Sequence, residues 1–402
     1  MKATWKIERF EDCIEKVTYT PKIQRKDFLN VGKYPVVSQE EDFINGYWNR
    51  EADLFRAKTP VVVFGDHTKI LKYVDFAFVL GADGVKILQP QAFLLPKFFF
   101  YQLHTASLDS LGYARHYRLL KELKIAYPPL PEQQRIVALL DEAFDGIATA
   151  KANAEKNRQN ARALFESHLQ AVFSQRGEGW VDSSLGDVLA VLRNGLNCKQ
   201  DKTGKGSKIS RIESIWNAKF DLSRVSYAEL PEYQKVKFRL QKGDVLFSHI
   251  NSAVHVGKTA LFDIDEEVIH GVNLLLMRTA PNMLSAYLDL YLKFIFACGY
   301  WRGVCKQSVN QASVNQQDIT RVPIHFPGLK VQSAIVEQTN SFASETQRLE
   351  GIYRQKIAAL DELKKSLLHQ AFSGEMTFAE AKAASHDRYG EAYEAPAQPV
   401  GP

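Results

Sequence analysis

One stretch of this chain occurs twice, and both copies read as one long helix. Pro128–Ser174 and Pro327–Ser373 align without a gap over 47 residues, the second 199 positions after the first. Ten positions are identical: Pro128/Pro327, Leu130/Leu329, Gln133/Gln332, Ile136/Ile335, Val137/Val336, Leu164/Leu363, Ser167/Ser366, Leu169/Leu368, Phe173/Phe372 and Ser174/Ser373. All lie at the two ends of the segment, so the ends carry the likeness and the middle preserves only length. A repeat of this period marks two copies of a large unit, not a solenoid. After its Pro-Leu turn each copy runs about 43 residues without a proline, roughly 65 Å at ~1.5 Å per residue. Helices of that length are usually coiled-coil arms.

A heptad seam threads each copy. In the first it is Ile136, Leu140, Ala143, Ile147, Ala150, Ala154, Asn157, Ala161, Leu164, His168 and Ala171. In the second it is Ile335, Thr339, Phe342, Thr346, Leu349, Tyr353, Lys356, Leu360, Leu363, Leu367 and Gln370. The first seam is small where the second offers Phe342, Leu349, Tyr353 and Leu360. Small knobs facing large ones fill space better than either helix paired with itself. The two helices are therefore expected to pack on each other within one chain. Asn157 and Lys356 hold equivalent polar positions, expected to mark solvent access or to fix register.

The intervening segments, 1–127 and 178–326, read as mixed α/β globules. Strand-like runs are Tyr34–Ser38, Pro60–Phe64, Phe76–Leu80, Val85–Leu88, Lys208–Ile212, Asp244–Phe247 and Val272–Arg278. Each globule opens on a tryptophan (Trp5, Trp180) and holds one aromatic-rich helix candidate, Leu95–His104 and Leu284–Phe296. The order is globule, long helix (128–177), globule, long helix (327–376), then an Ala/Glu/Pro/Gly-rich tail, 377–402, expected to be disordered. The fold class is thus α+β with a pseudo-twofold repeat. No apolar run approaches the ~18 residues of a membrane span. The first residues are too acidic and polar for a signal peptide, and four scattered cysteines without CxxC spacing suggest reduced thiols in a cytoplasmic protein.

Enzymatic motifs fail on inspection. Ala253–Leu261 contains GKT, but Ser252 stands where the phosphate loop needs its first glycine. Tyr127–Leu130 (YPPL) lacks the leading amide or acid with which adenine methyltransferases hold the target amino group. No HExxH, GxSxG or metal-spaced Cys/His cluster occurs, so no catalytic residue, metal or cofactor is expected.

What remains suits nucleic acid. The net charge is +5, and its positive excess sits outside the repeated helices. Asn197–Glu213 sets Lys199, Lys202, Lys205, Lys208 and Arg211 around Gly204 and Gly206, and Pro21–Lys33 carries Lys22, Arg25, Lys26 and Lys33. Ammonium groups on flexible backbone suit phosphate contact. Phe64–Ile70 and Phe247–Lys258 each follow a strand-like run with a histidine and small polar residues. Ser308–Asp318 is dense in Asn and Gln, and its counterpart holds Tyr113, Arg115, His116 and Tyr117. Asn and Gln can read adenine bidentately, and Arg can read guanine.

The doubled PPLPEQQRIV…LHQAFSGE helices, each following a globule that ends in a polar cluster, resemble the specificity subunit of type I DNA restriction–modification enzymes over about residues 1–376. The resemblance implies two target-recognition domains, each reading half of a split double-stranded DNA site. It implies that the two helices form an antiparallel intramolecular coiled coil that spaces the halves and docks DNA methyltransferase subunits, which recruit restriction subunits. Carried over by position, Lys22, Arg25, Lys26, His67, Lys69, Arg115 and His116 would serve the first half-site. Lys205, Lys208, Arg211, His249, Asn251, Lys258, Gln311 and Asn315 would serve the second. Pro128, Leu130, Gln133, Pro327, Leu329 and Gln332 would meet partner subunits. The second turn reads PGLKVQ, without the proline and acid of PLPEQ, so the two docking surfaces need not be equivalent. The competing reading is a coiled-coil protein-interaction scaffold with two ligand-binding globules and no DNA role.

Overall fold

Each repeat forms one unbroken 45-residue helix, Leu130–Ser174 and Leu329–Ser373. The computed structural model describes residues 5–82, 84–106, 115–174, 177–308 and 311–373; the tail and Tyr113 lie outside them. Contacts divide the chain into two units, one of Met1–Glu155 with Arg354–Pro402, the other Lys156–Tyr353. The division cuts both long helices, so each unit holds a globule, the first half of its own long helix and the last half of the other. Within each unit the two half-helices run antiparallel. Lys151 pairs with Asp361 at 2.6 Å in the first unit, and Arg162 pairs with Glu350 in the second.

The inward positions differ from the strict heptad. Leu164 is 61% exposed and Ala171 is exposed, while Phe165, Leu169, Val172 and Phe173 pack into the core. The phase changes at Ala150–Ala154–Arg158, two successive steps of four, and again at Leu349–Tyr353–Ile357. The expected seam residues Asn157 and Lys356 consequently stand exposed, and Gln370 gives way to Ala371, which is buried. The physical reason is the 3.6-residue turn. A strict 3.5 repeat drifts unless the helices supercoil, and an extra step of four restores the phase.

The globules are built alike although their sequences are not. In the first, a four-stranded antiparallel sheet runs Ile14–Glu15, Val85–Pro90, Val61–Gly65, Leu71–Val74. In the second it runs Leu189–Asn194, Leu274–Thr279, Val245–Ser248, Thr259–Leu261, the same spatial order. The strand after each opening tryptophan pairs with the strand that leads into the long helix. Lys6 stands opposite Tyr127, and Val181 opposite Phe326. Val61–Gly65 is buried throughout, which explains its uninterrupted apolar run. The first globule adds a mixed sheet of Lys22–Ile23, Phe78–Gly81, Tyr34–Val37 and Gly46–Trp48, with Leu54–Phe55 against Phe78–Gly81. The second adds Ile250–Asn251, Gln311–Ser313 and Lys306–Ser308. The two- and three-residue strands among these carry too little periodicity to be seen in sequence.

One short helix per globule, Pro96–Thr105 and Ser285–Ala297, packs on the long helices. In the first unit Phe98, Phe99, Tyr101 and Leu103 share a core with Ile136, Leu140, Ile147, Leu360 and Leu367. The second unit repeats this with Tyr287, Leu288, Tyr291, Leu169, Phe173, Ile335 and Val336. Phe372 lies 5.0 Å from Phe98, and Phe173 lies 5.2 Å from Phe294. No described helix is long and apolar enough to cross a membrane.

The displaced seam predicts unequal costs within one unit. Leu169→Ala, at a residue 6% exposed, should destabilise it by about 2–5 kcal/mol. Leu164→Ala should change stability by no more than about 0.5 kcal/mol. Denaturant titration of the two variants checks this, since the strict heptad, which includes Leu164 and leaves out Leu169, would reverse the order.

Candidate nucleic-acid interface

In the first globule the sheet itself gathers the polar residues. Val85 pairs with Gly65, so the loop after Val61–Gly65 and the loop before Val85–Pro90 meet at one end. His67 and Lys69 lie in that first loop, where Lys69 takes a positive φ of 62°. Gln39 joins them: its Oε1 accepts from the His67 N–H at 3.2 Å, and its carbonyl accepts from Thr68 Oγ1 at 2.6 Å. Lys22 Nζ donates to the Val85 carbonyl at 2.9 Å, which brings the basic loop to the same end. Arg25 stays 81% exposed while pairing with Glu40 at 3.2 Å, and Lys26 beside it is exposed. Arg115 is exposed here too. Lys72 is buried and holds the neighbouring loop through Asn45 Oδ1 at 3.1 Å. Burial pushes its ammonium down to about 8.

The second globule repeats the arrangement. Ser248 pairs with Leu274, and Asn194 with Leu275, so one sheet end carries His249, Lys258 and the Gly195 and Gly271 crossing. That crossing needs glycine, because a Cβ on Gly195 would lie 2.0 Å from the Gly271 carbonyl oxygen. Ile250–Asn251 pairs with Gln311–Ser313, which adds Asn251 and exposed Gln311. Ile269 N–H donates to the Lys208 carbonyl at 2.8 Å and Ser210 N–H to the Ile269 carbonyl at 2.9 Å, which docks the lysine loop beside them. Lys199, Lys202 and Lys205 are exposed on it. Lys208 pairs with Glu266, and Arg211 with Glu213 at 3.0 Å.

Burial lowers the His249 imidazole below its ordinary range, and its Nδ1 is buried with no protein partner. His270, fully buried behind it, is pushed down to about 4, first by burial and further by Arg193 and His249. Its Nε2 bonds the Leu274 carbonyl at 3.0 Å, which leaves Nδ1 bare.

Several expected contact residues do other work. His116 is 1% exposed, with Nδ1 3.0 Å from the Asp66 carbonyl oxygen, so it braces the loop from beneath. Asn315 caps the helix Gln316–Thr320, its Oδ1 accepting from the Asp318 N–H at 2.8 Å. Asn251 Nδ2 donates to Ser248 Oγ at 3.1 Å. Gln133 and Gln332 are each 0% exposed and present nothing to a partner subunit. Pro128 and Pro327 are buried as well, whereas Leu130 and Leu329 stand 40% and 43% exposed.

One exposed aromatic had no sequence pattern to mark it. Trp216 is 50% exposed in the hairpin Ile215–Trp216/Lys219–Phe220, with the Arg224 guanidinium 3.8 Å from its ring centre. Asn217 and Ala218 both take positive φ. Asn-Ala is a weaker signal for such a turn than Asn-Gly, which is why the hairpin was not legible.

Fold and site together define a duplicated two-globule protein on paired long helices, with a polar, cation-bearing end to each globule. A family model described as the type I restriction modification DNA specificity domain matches residues 2–157 and 177–357. The chain belongs to that family. It is 37% identical over 199 residues to the putative type I restriction enzyme MjaX specificity subunit of Methanocaldococcus jannaschii, covering 49% of this chain and 46% of that one. Against the type I restriction enzyme EcoKI specificity subunit of Escherichia coli K12 the identity is 25% over 269 residues, 63% of this chain and 58% of that one. The matches thus span about half the length of these relatives. The fold is shared with the HsdS subunit from Thermoanaerobacter tengcongensis, at a TM-score of 0.55 and 17% identity over 93% of this chain and 98% of that one. A chain solved in work on complex assembly of a type I R-M system gives a TM-score of 0.69 at 17% identity, covering 93% and 99%.

The buried His270 sets an acid limit. Its folded-state value lies below the ordinary 6.5, so the unfolded chain binds a proton that the folded one refuses. Stability should fall as pH drops from about 6.5 to about 4, by up to about 3 kcal/mol. Melting of wild type and His270→Gln across that range checks this; the variant should lose that share of the acid dependence.

Proposed function

We propose that this chain is the DNA sequence-recognition subunit of a type I restriction–modification complex and carries no catalysis of its own. The observation that carries the reading is the duplication of the interface. Two globules with the same strand order each collect cations, a histidine and amides at the sheet end away from their long helix. In this reading 1–127 and 178–326 are target-recognition domains, and the helices over 128–177 and 327–376 hold them at a set separation. Each globule reads one half of a gapped, double-stranded site. In this reading lysines and arginines would engage phosphates, while His67, His249 and Gln311 would read base edges.

Methyl transfer and cleavage belong to partner subunits in the cytoplasm. The exposed Leu130 and Leu329, at the starts of the two long helices, are the places from which methyltransferase subunits would be held. The membership of the family and the names of its relatives support this assignment.

Methylation mapping in a host expressing the system should return one bipartite motif with a fixed gap. A continuous motif, or none, would sink the proposal. On the electrostatic side, replacing Lys199, Lys202 and Lys205 together by alanine should weaken DNA binding by the assembled complex. It should also lower the slope of log affinity against log salt by about 2–3, at ~0.9 for each phosphate no longer neutralised. The bases preferred in both half-sites should stay the same.

A further inference from the structure

Gln133 and Gln332 make the same three hydrogen bonds at equivalent places in the two halves. Gln133 Oε1 accepts from the Leu95 N–H at 2.7 Å, and its Nε2 donates to the carbonyls of Phe93 at 2.9 Å and Pro128 at 2.8 Å. Gln332 Oε1 accepts from the Leu284 N–H at 2.8 Å, and its Nε2 donates to the carbonyls of Asn282 at 3.0 Å and Pro327 at 2.8 Å. Leu95 and Leu284 immediately precede the globule helices. The two prolines immediately precede the turn into each long helix. One buried amide therefore ties the start of the globule helix to the start of the long helix. The bonding pattern needs one acceptor and two donors on a single side chain. A carboxylate offers acceptors only, and asparagine is one methylene short.

We propose that Gln133 and Gln332 are positioning residues: each fixes the angle at which a globule is held on its own long helix, and so the spacer length the protein accepts. The proposal rests on the DNA-reading function above. Its physical basis is a lever. In each globule a six-residue strand, Val85–Pro90 or Leu274–Thr279, runs from the interface end toward the clamp. Six residues span about 20 Å at ~3.3 Å each. Slack of about 10° at the clamp would move the interface by about 3.5 Å, close to the ~3.4 Å rise of one base pair. The three hydrogen bonds remove that slack, and each is made by a glutamine side chain that is itself fully buried.

The test uses the complex reconstituted with its methyltransferase partner, on duplexes that keep both half-sites and vary the gap by one base pair either way. Wild type should methylate one gap length. Gln332→Met and Gln133→Met should each bring a neighbouring gap to within about tenfold of the native one, with base preferences unchanged. Gln332→Glu should relax the gap in the same way and regain strictness as the pH is lowered, because a protonated carboxyl recovers one donor. A purely structural role would not produce that reversal. Variants that keep a single gap at wild-type rate, or that lose rate equally on every gap, overturn the proposal. Should a methionine variant fail to fold, Gln332→Asn is judged by the same criterion. A wild-type complex that methylates no gapped duplex overturns the DNA-reading function itself, and the proposal with it.

Discussion

The structure depends on one packing event that happens twice. A 45-residue helix exposes an apolar stripe that water will not tolerate along its whole length, and helical propensity alone does not hold such a helix in place. Each unit covers that stripe with three helices: the globule's short helix, the first half of its own long helix and the last half of the other. The repeat's identities now have a cause. Ile136 and Val137 share a core with Leu368 in one unit, and Ile335 and Val336 pack against the core that holds Leu169 and Phe173 in the other. Gln133 and Gln332 close the joint in both. Toward their middles the long helices need only matching small and large residues and an unchanged length.

The clamp and the interface occupy opposite ends of the same sheet in each globule, and this separation of tasks has a physical logic. At the clamp end the glutamine is fully buried and every polar group of its side chain is satisfied. At the interface end are exposed lysines and unpartnered buried atoms such as His249 Nδ1. A rigid strand joins the two. Under the proposed function the globule could vary its loops without disturbing the buried glutamine joint at its long helix.

Much of this was legible. The two long helices, both globule helices to within one residue and the strands Tyr34–Val37, Val61–Gly65, Phe78–Gly81, Val85–Pro90, Val245–Ser248 and Leu274–Thr279 follow from apolar periodicity and proline placement, whereas the six-residue Leu189–Asn194 was not foreseen. The cation-bearing loops were visible because Lys and Arg recur around glycines. What sequence could not show was the state of individual polar residues. His116, Asn315 and Gln133 look like contact residues by type alone, yet one braces a loop, one caps a helix and one is sealed in a core. Hydrogen-bonding capacity is the same for a base edge and for a backbone carbonyl. Only the neighbours decide which is met.

The sequence by itself determined that the chain is a doubled unit with two long helices of equal length, since period, identity and the absence of proline are local properties. Tertiary structure decided the rest. It set the phase of the seam, because 3.6 residues per turn forced a step that a strict heptad hides and turned Leu164, Asn157 and Lys356 outward. It also decided that two globules with little sequence in common share one strand order, and that their polar loops meet at one sheet end. Strand pairing is set by contacts between segments far apart in the chain, and no pattern within either segment records them.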